Sequence, residues 1–413
     1  MRRRIAGDSK SRTGTGFLPF IVACLAVCAL FGRPIACECA AGEPPHLRSV
    51  IDQRNTTVLV PDKIQRVVAV DDGLVEGVLT ALGVGDAIVG LGSWCIPRKS
   101  EFTYPTLGGE SYTYKEGMNT VTFLNPRFLE LPLVADSGTG INYETLAGLR
   151  PDVVVLREGS CALGTDSEKT RRTIQVIESL GIPLIVLKGP DMFESPNLET
   201  LSEEIRILGR AFGLEARSME LAAYLEEQVQ MVRNRTRDIP NSQKPRLLLL
   251  GLSPTARKAG GAGHVRGTGT MESYFVEELA HAVNAYQNKG AWSILSTEQI
   301  LALDPDVIVL ITSWGYHPPR ELYEAPYYQD LKELKAVRNK RVLAMPWTPC
   351  NCQKRLEYPI DVMVIAKAAY PEKFADIDLS NWLLDFYQKV YGVDRKTAGG
   401  LRATQWMDWT GQQ

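Results

Sequence analysis

The chemically richest residues of the 413-residue chain are four cysteines, Cys95, Cys161, Cys350 and Cys352. Each stands in a segment just after a short β-branched or leucine-rich run, not inside such a run, where a structural cysteine would be buried. Cys95 lies in Ser93-Trp94-Cys95-Ile96-Pro97-Arg98-Lys99, and Cys161 ends Arg157-Glu158-Gly159-Ser160-Cys161. Cys350 and Cys352 lie in the stretch from Trp347 to Arg355. Two therefore come from each half of the chain. Thiolates select soft or borderline centres such as zinc, copper(I) or iron–sulfur clusters, so the expected chemistry is a metal site closed from both halves. Trp94, Trp314 and Trp347 are placed to shield a cluster or a flat macrocycle from water. Arg98, Arg157, Arg257, Lys258 and Arg355 are placed to balance an anionic ligand, and Asp72, His264 and Tyr316 complete the candidate contacts. Disulfides are the alternative use of the cysteines: four thiols allow three pairings, and sequence does not choose among them. No Ser-His-Asp arrangement accompanies Ser93 or Ser160, so no catalytic residue and no catalytic cofactor is assigned.

The elements that must carry these loops read as alternating strands and helices. Val67-Val68-Ala69-Val70 ends in Asp71-Asp72-Gly73 and leads into a helical pattern that Gly83 stops. Buried strands are expected at 87–91, 152–156 and 183–187, with helices between them. The grammar restarts at Arg246, with strands at 246–250, 306–310 and 341–344. Leu149-Arg150-Pro151-Asp152-Val153 and Leu303-Asp304-Pro305-Asp306-Val307 nearly repeat, each a turn into a strand. The expected fold is α/β: two Rossmann-like lobes with mostly parallel sheets, joined by a long bridging helix. Residues 42–195 form the first lobe, 196–238 the bridging helix with a kink or break at Gly213, and 239–413 the second lobe with terminal helices.

Residues 1–41 read as a signal peptide, with basic Met1-Arg2-Arg3-Arg4, an apolar run from Phe17 to Phe31, and small residues after Arg33-Pro34. Cys24 and Cys37 sit in imperfect lipoprotein cleavage boxes, which leaves lipid anchoring open. The expected location is the periplasm or cell envelope. A composition of 45% hydrophobic and 23% charged residues excludes a disordered or fibrous chain. A net charge of -2 gives no reason to expect a nucleic-acid partner.

The ordered set Arg66-Val67-Val68, Glu76 through Gly83, Ile88-Val89-Gly90, Asn142-Tyr143-Glu144, Leu149 to Asp152 and Gly181-Ile182-Pro183 resembles the helix-bridged periplasmic binding proteins for iron complexes and cobalamin. Ala280 to Asn284, Ala291-Trp292, Ser296-Thr297-Glu298, Leu303 to Asp306 and Val337 to Val342 continue it, so the likeness runs from about Gln65 to Tyr391. The resemblance implies a monomeric extracytoplasmic substrate-binding protein of an ABC importer. Its cleft would hold an iron complex, an iron–sulfur species or another metal cofactor as transported ligand. It also implies a permease of the inner membrane as partner, with one glutamate per lobe docking on it; by local order these are Glu130 and Glu272. The alternatives are cobalamin or haem held by the aromatic loops with the cysteines in disulfides and, in another class, a chelatase or cluster-assembly enzyme.

Overall fold

The computed structural model describes residues 46–136, 140–160, 163, 167–193, 198–311, 319–349 and 354–412. The leader, Cys161, Trp314, Tyr316, Cys350 and Cys352 lie outside them.

Runs of β-branched residues bury both faces of a strand, and the sheets form accordingly. Among the described residues the first sheet has the spatial order Leu184–Lys188, Val153–Glu158, Val67–Val70, Ile88–Leu91, all parallel. In the second, Arg246–Leu252 pairs in parallel with Val307–Leu310, which pairs in parallel with Val342–Ala344. On its other side two short strands, Gly263–Val265 and Ser293–Leu295, run antiparallel. Successive strand residues point to opposite faces. Val67, Ala69, Val153, Val155, Leu247 and Leu249 therefore share one core that runs through both lobes. Val68, Val70, Val154 and Leu156 face a second core, and Leu248, Leu250, Ile308 and Leu310 a third.

The repeated Pro-Asp turn has a repeated job. Asp152 Oδ2 accepts the backbone N–H of Arg66 at 2.9 Å, and Asp306 Oδ2 accepts that of Arg246 at 2.9 Å. The two arginines donate to the carbonyls of Leu149 and Leu303, respectively. Each motif thus pins the start of one strand to the start of its neighbour.

The long helical connector divides at Gly213 into two helices, Glu199–Phe212 and Glu215–Thr236. Gly213 closes the first in the left-handed conformation at φ 67°, which costs glycine little. At the corner a β-carbon on Gly209 would stand 1.9 Å from Ser218 Oγ, so the two helices meet there as only glycine allows.

Two excursions link the halves. The antiparallel hairpin Ser100–Pro105 and Ser111–Gly117 leaves the first lobe. It sets Tyr104, 1% exposed, into the core of the second sheet. Its Tyr104 hydroxyl donates to Glu324 at 3.3 Å, the Leu107 N–H donates to the Glu324 carbonyl at 2.9 Å, and Arg320 covers the Tyr112 ring at 3.9 Å. In return the C-terminal helices Leu379–Tyr391 and Arg395–Thr404 pack back on the first half. There Thr404 donates to the Glu116 carbonyl and Trp406 Nε1 to that of Lys115, at 2.8 and 2.9 Å. No described helix is long and apolar enough to cross a membrane.

Candidate functional site

The loops at the carboxyl ends of the strands bring charged residues of both lobes together. Asp71 comes directly after Val70 and accepts the backbone N–H groups of Leu74 and Val75 at 2.7 and 2.9 Å, capping the first helix. Its other oxygen lies 3.6 Å from Arg157. Arg157 is completely buried. It forks onto Glu204 of the helix Glu199–Phe212 at 2.6 and 2.9 Å and donates to the Lys354 carbonyl at 3.0 Å. One guanidinium thus ties a first-lobe strand, the connector and the segment after the last strand of the second lobe. Lys354 Nζ continues the chain to Glu272 at 2.8 Å and Asp361 at 3.4 Å. Glu272 lies 3.9 Å from Arg266, whose guanidinium rests 3.7 Å from the centre of the Trp292 ring. His264, two residues before Arg266, meets that ring edge-on at 5.6 Å.

Carboxyl groups outnumber cations here, and burial decides which keep a proton. Burial raises Glu204 to about 7, with Arg157 opposing and Asp71 reinforcing the rise. Burial lifts Asp361 to about 6 against the pull of Lys354. Asp191 stands at the surface in the turn after Leu184–Lys188, yet desolvation of its carboxyl also raises it to about 6, with Glu272 adding repulsion and Lys354, Arg157 and Arg266 opposing. This first-lobe carboxyl thereby feels the charges of the second lobe. Burial would raise Glu272 too, but Lys354 and Arg266 outweigh it and hold the group at about 2.

Glu204, Asp361 and Asp191 take up protons in the folded protein before they do in the unfolded chain. Their stabilising contribution is whole below the ordinary carboxyl range and is lost as pH rises through about 6 to 7. Glu272 contributes above the ordinary glutamate value and loses that contribution as pH falls toward about 2. Thermal unfolding across pH is therefore expected to show its highest Tm between about pH 4 and 6. Glu204→Gln should remove part of the decline on the alkaline side. A Tm that climbs steadily from pH 5 to 8 would contradict this assignment.

Several expected contacts need correction. Cys95 is fully buried and disulfide-bonded, its partner lying outside the described residues. A disulfide sulfur is not a thiolate, so Cys95 drops out of the expected tetrad, whose other members Cys161, Cys350 and Cys352 lie outside the described residues. A loop at the carboxyl end of a strand need not open to solvent. The Ser93–Ile96 segment turns inward, fixed by Asn119 on the Cys95 carbonyl at 2.8 Å and Thr122 on that of Ile96 at 2.6 Å. Arg157 is an internal tie and not a ligand contact. Arg257 is held within the second lobe by Tyr328 at 2.7 Å and by the Tyr327 ring at 4.0 Å. Glu272, 5% exposed and ion-paired, is not a surface docking group, whereas Glu130 is exposed.

The other candidates divide between surface and interior. Lys258 is exposed, and Arg98 is exposed with its guanidinium 4.9 Å from the half-buried Trp94 ring. Asp72 is buried, with its carbonyl accepting Arg355 Nε at 2.8 Å. Trp347 is buried and stacks on Trp406 at 4.3 Å. His264 is 7% exposed; burial lowers its pKa and nearby Arg266 adds to the effect. Neither ring nitrogen makes a hydrogen bond of normal geometry among the described residues.

Sequence reasoning passed over Arg266, Lys354, Glu204 and Asp361. Their one visible signal is a charged residue interrupting an apolar pattern, as Glu204 does in Leu201–Leu208.

The described geometry accords with comparisons to known proteins. The chain is 24% identical over 376 residues, 86% of its length and 94% of the relative's, to the molybdate-binding protein MolA of Haemophilus influenzae. The molybdate-bound structure of MolA superposes with a TM-score of 0.61 at 21% identity, covering 84% of this chain and 98% of that one. A periplasmic solute-binding protein from Veillonella parvula gives 0.64 at 22% identity, covering 84% and 94%. An uncharacterized ABC transporter substrate-binding lipoprotein, YvrC of Bacillus subtilis, is 21% identical over 214 residues, 52% of this chain and 61% of that protein. Together with a match to the periplasmic binding protein family across residues 67–348, this places the chain in that family, as a substrate-binding protein of the ABC-importer type and not an enzyme.

Proposed function

We propose that the protein captures an anionic, oxygen-rich metal species, an oxyanion or a negatively charged chelate, in the gap between its lobes. Arg266 carries the proposal. It is a buried guanidinium laid on the face of a 43% exposed tryptophan, anchored by Nη1 on the Ala291 carbonyl, and its Nε makes no hydrogen bond among the described residues. A guanidinium is a fork of donors suited to such oxygens. His264, held uncharged beside it, adds a ring nitrogen that borderline metals accept. The name of the Haemophilus relative supports an oxyanion as cargo. In this reading the chain acts as an exported monomer in the cell envelope, with lipid anchoring open, and passes its cargo to an inner-membrane permease on which Glu130 docks.

Titration calorimetry with molybdate, tungstate and ferric citrate tests the proposal. At least one should bind at micromolar concentration or tighter, and Arg266→Gln should weaken it ~10–100-fold, the worth of one hydrogen bond to a charged group. No binding below millimolar concentration, or unchanged affinity in the variant, would overturn it. Haem or corrinoid bands in the absorption spectrum of the purified protein would replace the oxyanion with a macrocycle.

A further inference from the structure

A cavity of about 500 Å³ opens where the crossing hairpin meets the last helix, and its walls include Tyr112, Tyr114, Phe123, Trp406 and Trp409. A half-open cleft of ligand size walled by five aromatic rings calls for an explanation.

The walls are built by positions that tolerate no side chain. A β-carbon on Gly117 would stand 2.5 Å from the Trp406 ring, and one on Gly400 would stand 2.3 Å from that of Phe123. Three of the rings adjoin: Tyr112 and Tyr114 lie 4.7 Å apart edge to face, and Tyr114 lies 5.3 Å from Trp406. Aromatic faces and edges of this kind receive another flat ring in offset or edge-on contact.

Charge selects further. The acidic wall residues are already engaged, Glu116 by Lys99 at 3.0 Å and Asp408 by Arg402 at 3.1 Å. Lys115 supplies positive charge at the same walls, whereas Arg320 is neutralised by Glu324 at 2.7 Å and lies on the Tyr112 ring. The lining tryptophan Trp409 keeps its indole N–H buried without an acceptor among the described residues, a donor that a small shift of the ring could offer to a ligand oxygen.

We infer that this cavity binds a planar aromatic anion, independently of the cargo gap. It stands on the hairpin and the C-terminal helix, neither of which supplies Arg266 or His264.

The probes are 2-naphthoate and its cationic counterpart 2-naphthylmethylammonium, titrated calorimetrically into the full chain. The anion should bind at least tenfold more tightly than the cation. Lys115→Glu, at an exposed position, should abolish or reverse that preference. Ala403→Trp, which projects an indole into the space from an exposed helix position, should remove naphthoate binding, with circular dichroism checking that the variant is folded. Arg266→Gln should leave naphthoate affinity unchanged, which separates this site from the gap. No heat from either probe at millimolar concentration would overturn the inference. Equal binding of both probes with no response to Lys115→Glu would do the same.

Discussion

Arg157→Met is expected to cost ~3–5 kcal/mol of stability, the usual penalty for removing one partner of a buried ion pair. The guanidinium is wholly enclosed and engages Glu204, Asp71 and the Lys354 carbonyl at once. Deleting it strands two carboxyl groups and an acceptor in a region that water cannot reach. Glu204 can escape by taking up a proton, so the loss should be larger at pH 8 than at pH 5. Urea unfolding at both values measures this, as a lower midpoint with an unchanged slope. The double variant Arg157→Met with Glu204→Leu should recover much of the loss, because a matched apolar pair can replace a buried ionic one. If the double variant is as unstable as the single one, the effect comes from packing and not from charge.

Tyr104→Ala should cost on the order of 3 kcal/mol, within the range for truncating a buried aromatic side chain. Tyr104→Phe should cost ~1 kcal/mol, since it keeps the ring and loses only hydroxyl contacts, chiefly the bond to Glu324. The informative readout is local. The ring is the main apolar anchor of the hairpin in the second core, so its loss should release the tip around Thr106–Glu110. Limited proteolysis should cut there in the alanine variant and leave the phenylalanine variant intact. Equal resistance in both would show that Leu107 and Arg320 hold the hairpin without the ring.

The parts of the fold that sequence revealed are those whose causes are local. Val67–Val70 and Val153–Leu156 had to be two-sided buried strands because no polar residue interrupts them. The Pro-Asp turns could be matched to each other because an aspartate just before a strand pairs with the neighbouring strand start in both lobes. The hairpin was missed although its signature stands in the chain: Phe102 and Tyr104, then Gly108-Gly109, then Tyr112 and Tyr114, alternating aromatics around a glycine turn. The centre of the site was not readable. Arg157 finds Glu204 at a separation of 47 residues and Lys354 at 197, and no spacing rule reaches so far. The thiolate expectation is cut back at Cys95, because position along the chain says nothing about which way a loop folds and Cys95 folds inward; the other three cysteines lie outside the described residues.

Because the hairpin is sunk in the far half and the terminal helices are seated on the near one, each half is moored to the other twice over, at separate points. A receptor so moored would have its aperture set before any cargo arrives. It would then work as a gauge and not as a trap, admitting solutes by their dimensions and charge, with arrival limited by diffusion instead of by the swing of a hinge. A transporter meeting it would have to sense loading from the changed charge at the mouth, since the distance between the two halves would be the same full or empty.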